Sequence, residues 1–235
     1  MEAPLQGVVM AKSELDPKIK GINKTWRATV RTTYGDMGAI IKEISHREII
    51  VECIAAMVAI ELGLPTPRPM VVMDEGTAYY GSEEMPHPDL KHALIDLSDL
   101  NDQLLEWSHL HTAAVFDTWI HNSDRHGGNM LTDGLGGFWL IDHGLAIPEG
   151  TPLVNVNQNN LMDIVRSKMT NDISFRKNKN QLDDSIANIP KAICGRIVLL
   201  ANWVGPDVLR FVLLREPHLP KIVQEQVSKH HDLLG

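Results

Sequence analysis

The order of apolar and polar positions changes character near Pro86. Before that point the chain reads mostly as short alternating or apolar runs. Leu5 to Met10 and Trp26 to Thr33 have the pattern of strands, and "GAIIKEI" from Gly38 to Ile44 is a third, rich in β-branched residues. "YGDMG", Tyr34 to Gly38, supplies the turn between the last two. Ser45 can cap a helix, and "HREIIVECIAAMVAIELGL" then runs to a stop at Gly63, followed by "PTP". "PMVVMD" and "TAYYGSE" read as two strands joined by "DEG" at Asp74 to Gly76, a hairpin signal.

Beyond Pro86 the period becomes helical. "DLSDLNDQLLEWSHLHTAAVFDTWIHN" brings Trp107, Leu110, Ala114 and Ile120 round to roughly one face. A polar, glycine-rich stretch from His121 to Gly144 follows, with "FWLID" as a strand and "DGLGG" as its hairpin turn. "NVNQNN" around Asn155 and "RKNKN" at Arg176 to Asn180 read as polar loops, and the chain from Leu182 onward reads as three helices broken at Gly205-Pro206, Pro217 and Pro220. The expectation is an α+β fold of two lobes, strand-rich over 1–85 and helical over 86–235. The polar stretch then lies at the lobe junction, where ligand pockets concentrate.

Composition narrows the function. The 235 residues carry 22 basic and 30 acidic side chains, a net charge of −8. That balance disfavours nucleic-acid binding through a broad basic face, and no Lys/Arg cluster suits docking on anionic lipid. No apolar run is long enough to span a membrane and no signal peptide opens the chain, so a cytoplasmic setting is expected. Cys53 and Cys194 lie in apolar stretches and read as reduced core residues.

The chemistry concentrates in "DRHGGN". Asp124 and Asn129 are five residues apart, the spacing of the catalytic Asp and metal-binding Asn in a kinase catalytic loop. A hydroxyl nucleophile needs a carboxylate to orient it and accept its proton, and Mg²⁺ needs hard oxygen ligands. Gly127 and Gly128 allow the loop to bend so that both side chains face one point. Asp142 ends the apolar "FWLI" and precedes His143-Gly144, like the D-F-G position with His in place of Phe. Upstream, Lys42 closes "GAIIK", the pattern of a phosphate-binding lysine. Glu52 lies ten residues on, on the helix face of Ala55, Ala56 and Ala59, where it can pair with Lys42; Glu48 is the alternative partner. His126 has two readings, neutralising the transferred phosphate or ordering the loop. Arg125 reads as a loop brace, Asp117 as either a partner of the loop backbone or an exposed helical Asp.

Taken together, "AIIKE", "VECIAAMVAIELGLPTP", "YYGSEE", "FDTWIHNSDRHGGNML" and "FWLIDHGLAI" resemble the HipA-like kinases, and more distantly the phosphoinositide 3/4-kinases. The resemblance covers Trp26 to Pro148. It implies a two-lobed kinase-like fold that binds ATP and Mg²⁺. On that likeness Lys42 contacts the α/β-phosphates and Glu52 braces it. The backbone of Tyr80, Gly81, Ser82 and Glu83 receives adenine. Asp124 is the catalytic aspartate, and Asn129 and Asp142 hold metal. It also implies a protein Ser/Thr substrate, as for HipA-like proteins that act as toxins on translation components, and a partner chain for restraint or substrate choice. A small-molecule or lipid kinase and a nucleotide-binding pseudokinase are the alternatives. The chain departs from the kinase pattern in lacking G-x-G-x-x-G, for which "TYGDMG" offers only Gly35 and Gly38.

Overall fold

A computed structural model describes residues 3–15, 23–85, 91–92, 100–133, 135–189, 193, 197 and 206–231. Five strands form a closed barrel: β1 (Leu5–Glu14), β2 (Thr25–Thr32), β3 (Gly35–Lys42), β4 (Pro69–Asp74) and β5 (Thr77–Glu83), in the order β1-β2-β3-β5-β4. Parallel pairing of β1 with β4 closes it; the other ladders are antiparallel. Closure removes the unpaired edges that an open sheet leaves. Ala28, Val30, Ala39, Ile41, Met70, Val72 and Tyr79 fill the interior.

The turns differ in detail from the sequence expectation. β3 begins at Gly35, so the β2–β3 connection is only Thr33-Tyr34, tighter than the expected Tyr34 to Gly38. Gly35, at φ +109, supplies the left-handed backbone that this sharp reversal needs. The β4–β5 hairpin turns through Glu75 and Gly76, both at positive φ, as a two-residue loop matching the strand twist requires.

Helix α1 (His46–Glu61) starts with a capping box, Ser45 bonding the Glu48 amide and Glu48 the Ser45 amide. It is buried all round from Ile49 to Ala59, because it lies between two cores. Ile49 and Cys53 pack with Tyr80 of β5. Ile50, Ile54, Met57 and Val58 join the large helical core with Leu104, Leu110, Phe116 and Val212. The expected boundary between residues 85 and 86 falls at the edge of the described residues, and the core of α1 runs across it.

After a short β6 (Lys91–His92), the expected long helix is two: α2 (Asn101–Glu106) and α3 (Leu110–Trp119). Trp107 leaves the helix with ψ 118, and its buried ring packs edge-on against Phe138 at 5.6 Å. The expected start of that helix, residues 96–99, lies outside the described residues, as do Cys194 and Gly205. The β7 (Met130–Thr132) and β8 (Phe138–Leu140) hairpin joins β6 in a small sheet.

Helices α4 (Asn160–Ser167), α5 (Asp172–Ala187), α6 (Pro206–Arg215) and α7 (Leu219–His231) complete the described fold. "RKNKN" is helical, not a loop: it lies in α5, whose start Asn171 caps by accepting from the Ile173 and Ser174 amides. Only Asn178, Leu182 and Ser185 of α5 are buried, so its polar composition records an exposed helix. Pro206 and Pro220 sit in the first turns of α6 and α7, where a missing N–H costs no helical bond, so they open helices.

One consequence is open to test. A Cβ at Gly81 would stand 2.5 Å from Met70 Cγ and 2.9 Å from Val72 Cγ2 inside the barrel. Gly81→Ala is expected to destabilise the protein by about 1–3 kcal/mol through overpacking, measured by urea unfolding.

Candidate active site

The site is built round one ammonium and two carboxyls. Lys42 ends β3, directly opposite Tyr80 on β5. Its Nζ lies 3.0 Å from Asp142 Oδ1 and 3.8 Å from Glu52 Oε1. Glu52, on the small-residue face of α1, is only 1% exposed, and its Oε2 accepts from the His143 amide at 2.8 Å. Burial pushes the Glu52 carboxyl up to about 7, with Lys42 opposing the rise and Asp142 adding to it. Burial also works against ionisation of Asp142, but the charge and hydrogen bond of Lys42 prevail and hold it below the usual carboxylate range. Glu48 is not the partner of Lys42: it is committed to the Ser45 cap.

The loop after α3 places the second half of the site. The Asp124 amide donates to Asn122 Oδ1 at 3.0 Å. Asn129 Nδ2 donates to the Asp124 carbonyl at 2.6 Å and to Asp124 Oδ2 at 3.0 Å, so Asp124 and Asn129 are directly joined. With its NH₂ so used, Asn129 presents Oδ1 as its remaining polar atom. The Asp124 side chain keeps 46% of its surface exposed, which leaves the carboxylate accessible. His126 folds back over the loop: Nδ1 accepts from the Gly128 amide at 3.0 Å, and Nε2 lies 3.8 Å from Asp124 Oδ2. A Cβ at Gly128 would stand 2.8 Å from the His126 ring, so a side chain there would push that ring off the loop.

Sequence reasoning left Arg125 and Asp117 as a brace and an ambiguity; the structure makes them the centre of the loop. Both side chains are fully buried. Arg125 Nε and Nη2 grip Asp117 at 3.0 and 2.9 Å. Nη1 donates to the carbonyls of Asn129 and Ile141 at 2.8 and 2.9 Å. Nη2 also lies 3.1 Å from His143 Nδ1. The expected polar loop "NVNQNN" serves the same scaffold. Asn157 Nδ2 donates to the Asn122 carbonyl at 3.1 Å, Asn160 Nδ2 to the Arg125 carbonyl at 2.6 Å, and Asn159 caps α4. Asn157 and Asn159 are buried. An Asn-rich run is the composition of a loop, and only its density of amides hinted at this work.

The expected adenine-binding stretch lies in the barrel sheet. Tyr80, Gly81 and Ser82 lie in β5, paired to β3 on one side and β4 on the other. The Glu83 and Glu84 amides donate to the Arg68 and Gly38 carbonyls. The Tyr80 ring is buried under α1, and burial raises its phenol well above the ordinary range. The backbone groups of Tyr80 to Ser82 are engaged in these ladders, and β5 ends at Glu83. As for metal, the described residues hold no group of three or more His, Cys, Asp or Glu arranged for an ion. The hard-oxygen groups that would serve such an ion are the Asp142 carboxylate and the Asn129 carbonyl. That fits Mg²⁺, which is held by one or two carboxylates plus substrate phosphates rather than by an all-protein cage.

A barrel and helix meet a helical core, with a Lys–Glu–Asp cluster between them, and the family comparison gives this arrangement its class. The HipA-like kinase family model matches residues 39–205, and the chain belongs to that family. The crystal structure of the Helicobacter pylori proinflammatory kinase CtkA has the same fold, with a TM-score of 0.57 and 14% identity over 94% of this chain and 96% of that one. Phosphatidylinositol 4-kinase gamma 7 of Arabidopsis thaliana is 40% identical over 62 residues, 23% of this chain. The match spans only 10% of that plant protein. Among the described residues no helix is long and apolar enough to cross a membrane.

Two measurements test the site's energetics. Asp117→Ala strands the buried Arg125 charge and is expected to cost about 3–5 kcal/mol in urea unfolding. Glu52 has a raised folded pKa, so its contribution is full below about pH 4.5 and is lost as pH rises to about 7. In metal-free buffer, wild type should therefore lose stability relative to Glu52→Gln over that window, by on the order of 3 kcal/mol.

Proposed function

We propose that this kinase transfers the γ-phosphoryl of ATP, with Mg²⁺, to a Ser or Thr hydroxyl of a protein. The observation that carries the reading is the convergence of Lys42 on Asp142 at 3.0 Å and Glu52 at 3.8 Å, beside the joined Asp124–Asn129 pair. Asp124 orients the acceptor hydroxyl and takes its proton as the oxygen bonds to the γ-phosphorus. The bond from that phosphorus to the β–γ bridging oxygen breaks, leaving ADP and a phosphoester. Asn129 and Asp142 hold Mg²⁺, which when bound neutralises charge on the phosphates. Lys42 turns to the α/β-phosphates, and Glu52 fixes it there. His126, close to Asp124, orders the loop and faces the transferred group. The protein substrate follows the family likeness, as does a partner chain that restrains the enzyme or selects its target; the cytoplasmic setting follows the sequence reading.

The plant relative's name points to a second reading, a lipid or small-molecule kinase. The net charge of −8 weighs against an anionic inositol lipid.

The test is transfer from γ-labelled ATP with Mg²⁺, using cell lysate as the substrate pool and lipid extract as a parallel one. Asp124→Ala is expected to lower transfer at least about 100-fold while nucleotide binding survives. Asp142→Ala should weaken Mg²⁺-dependent nucleotide binding as well. Label in the lipid or small-molecule fraction alone would establish the second reading. Activity of Asp124→Ala within about tenfold of wild type would show that this loop is not the catalytic one.

A further inference from the structure

We propose that Arg125 and His143 are positioning residues that hold Asp142 in its metal-binding geometry; the inference rests on the phosphotransfer reading. The Arg125 guanidinium straddles Asp142. Nη1 donates to the Ile141 carbonyl on one side at 2.9 Å, and Nη2 reaches His143 Nδ1 on the other at 3.1 Å. Between these two grips Asp142 has φ 58, in the left-handed region that a non-glycine residue seldom adopts. The same Nη1 donates to the carbonyl of Asn129 at 2.8 Å, so one rigid planar group sets the Asn129 backbone and both neighbours of Asp142. Asp117, fully buried, holds the other edge of the fork, so the guanidinium itself has no freedom to drift.

The choice of histidine points the same way. Arg is a donor only, so His143 Nδ1 accepts and the ring proton sits on Nε2. Nε2 is buried with no hydrogen-bond partner among the described residues, and the ring meets Phe116 edge-on at 5.6 Å. A phenylalanine would fill this apolar place and remove the Nε2 orphan, but it would leave the Arg125 Nη2 proton that faces position 143 without an acceptor. Histidine is thus the residue that both fills the place and holds Arg125. Retaining it makes sense where the backbone on either side of a metal ligand has to be fixed.

The decisive variant is His143→Phe, compared with His143→Gln, whose amide oxygen restores an acceptor for Arg125. Mn²⁺ binding in the presence of a saturating non-hydrolysable ATP analogue is followed by electron paramagnetic resonance, and melting temperature by calorimetry. The Phe variant should bind Mn²⁺ about 10–100-fold more weakly while remaining folded, its melting temperature lowered by about 2–10 °C for the acceptor that Arg125 loses. The Gln variant should recover most of the affinity. A role in stability alone would move melting temperature and leave affinity in place. Phe binding within about twofold of wild type, or Phe and Gln equally weak, would overturn the inference while the phosphotransfer reading stands. Wild type that binds no divalent cation with nucleotide would overturn both. Should the Phe variant not fold, His143→Leu against His143→Gln makes the same comparison.

Discussion

The buried pair of Arg125 and Asp117 is the constraint on which the rest of the site depends. Neither side chain has exposed surface. Removing two charges from water is expensive, and their attraction recovers this only when the remaining donors and acceptors are also satisfied. Here they are. Arg125 finds two backbone carbonyls and an imidazole beyond the carboxylate, and Asp117 Oδ1 also accepts from Asn122 Nδ2 at 3.1 Å. A hydrophobic pair of equal volume could hold α3 against the loop as well, but it could not dictate where Asn129, Ile141 and His143 stand. The ion pair makes its contribution in geometry rather than in net stability.

Lys42 poses a second electrostatic problem, with two carboxyls and a single cation. Burial settles which carboxyl yields. Glu52, at 1% exposed, is the one pushed toward neutrality, whereas Asp142 keeps its charge at 3.0 Å from the ammonium. A divalent cation at Asp142 would compete with Lys42 for that carboxylate. On the phosphotransfer reading this competition is productive, because a lysine displaced from Asp142 is free for phosphate oxygens and remains tied to Glu52.

Much of this was legible in the sequence, and the pieces that were not share a cause. Lys42, Glu52, Asp124, Asn129 and Asp142 stand out because spacing and local period carry them: a strand end, a helix face, a five-residue step and a strand end again. Residues whose meaning comes from distant partners stayed dark. Asn160 reads as one more loop amide until its Nδ2 is found on the Arg125 carbonyl, 35 positions away. Asn157 and Asn159 are alike in this respect. "YYGSEE" reads as a strand with an exposed end, and only the ladders to both β3 and β4 reveal that the backbone of Tyr80 to Ser82 is engaged inside the barrel. "RKNKN" failed differently. Its composition is that of solvent-facing residues, and an exposed helix satisfies that as well as a loop does.

Helix α1 joins these threads. It is buried on every side because it serves two cores, and a helix so placed cannot shift without repacking both. Glu52 is carried on that helix, and through its two oxygens it faces Lys42 of the barrel and receives the amide of His143 beside Asp142. Lys42 and Asp142 belong to different parts of the chain, and no backbone ladder links β3 to the turn at Asp142. Their separation is instead fixed by one carboxyl on a rigid helix from the side of α1 and by one guanidinium from the side of α3. That division explains why the chain tolerates an uncapped, irregular turn at Asp142: its geometry is imposed from outside by Glu52 and Arg125, and the turn itself needs no regular structure.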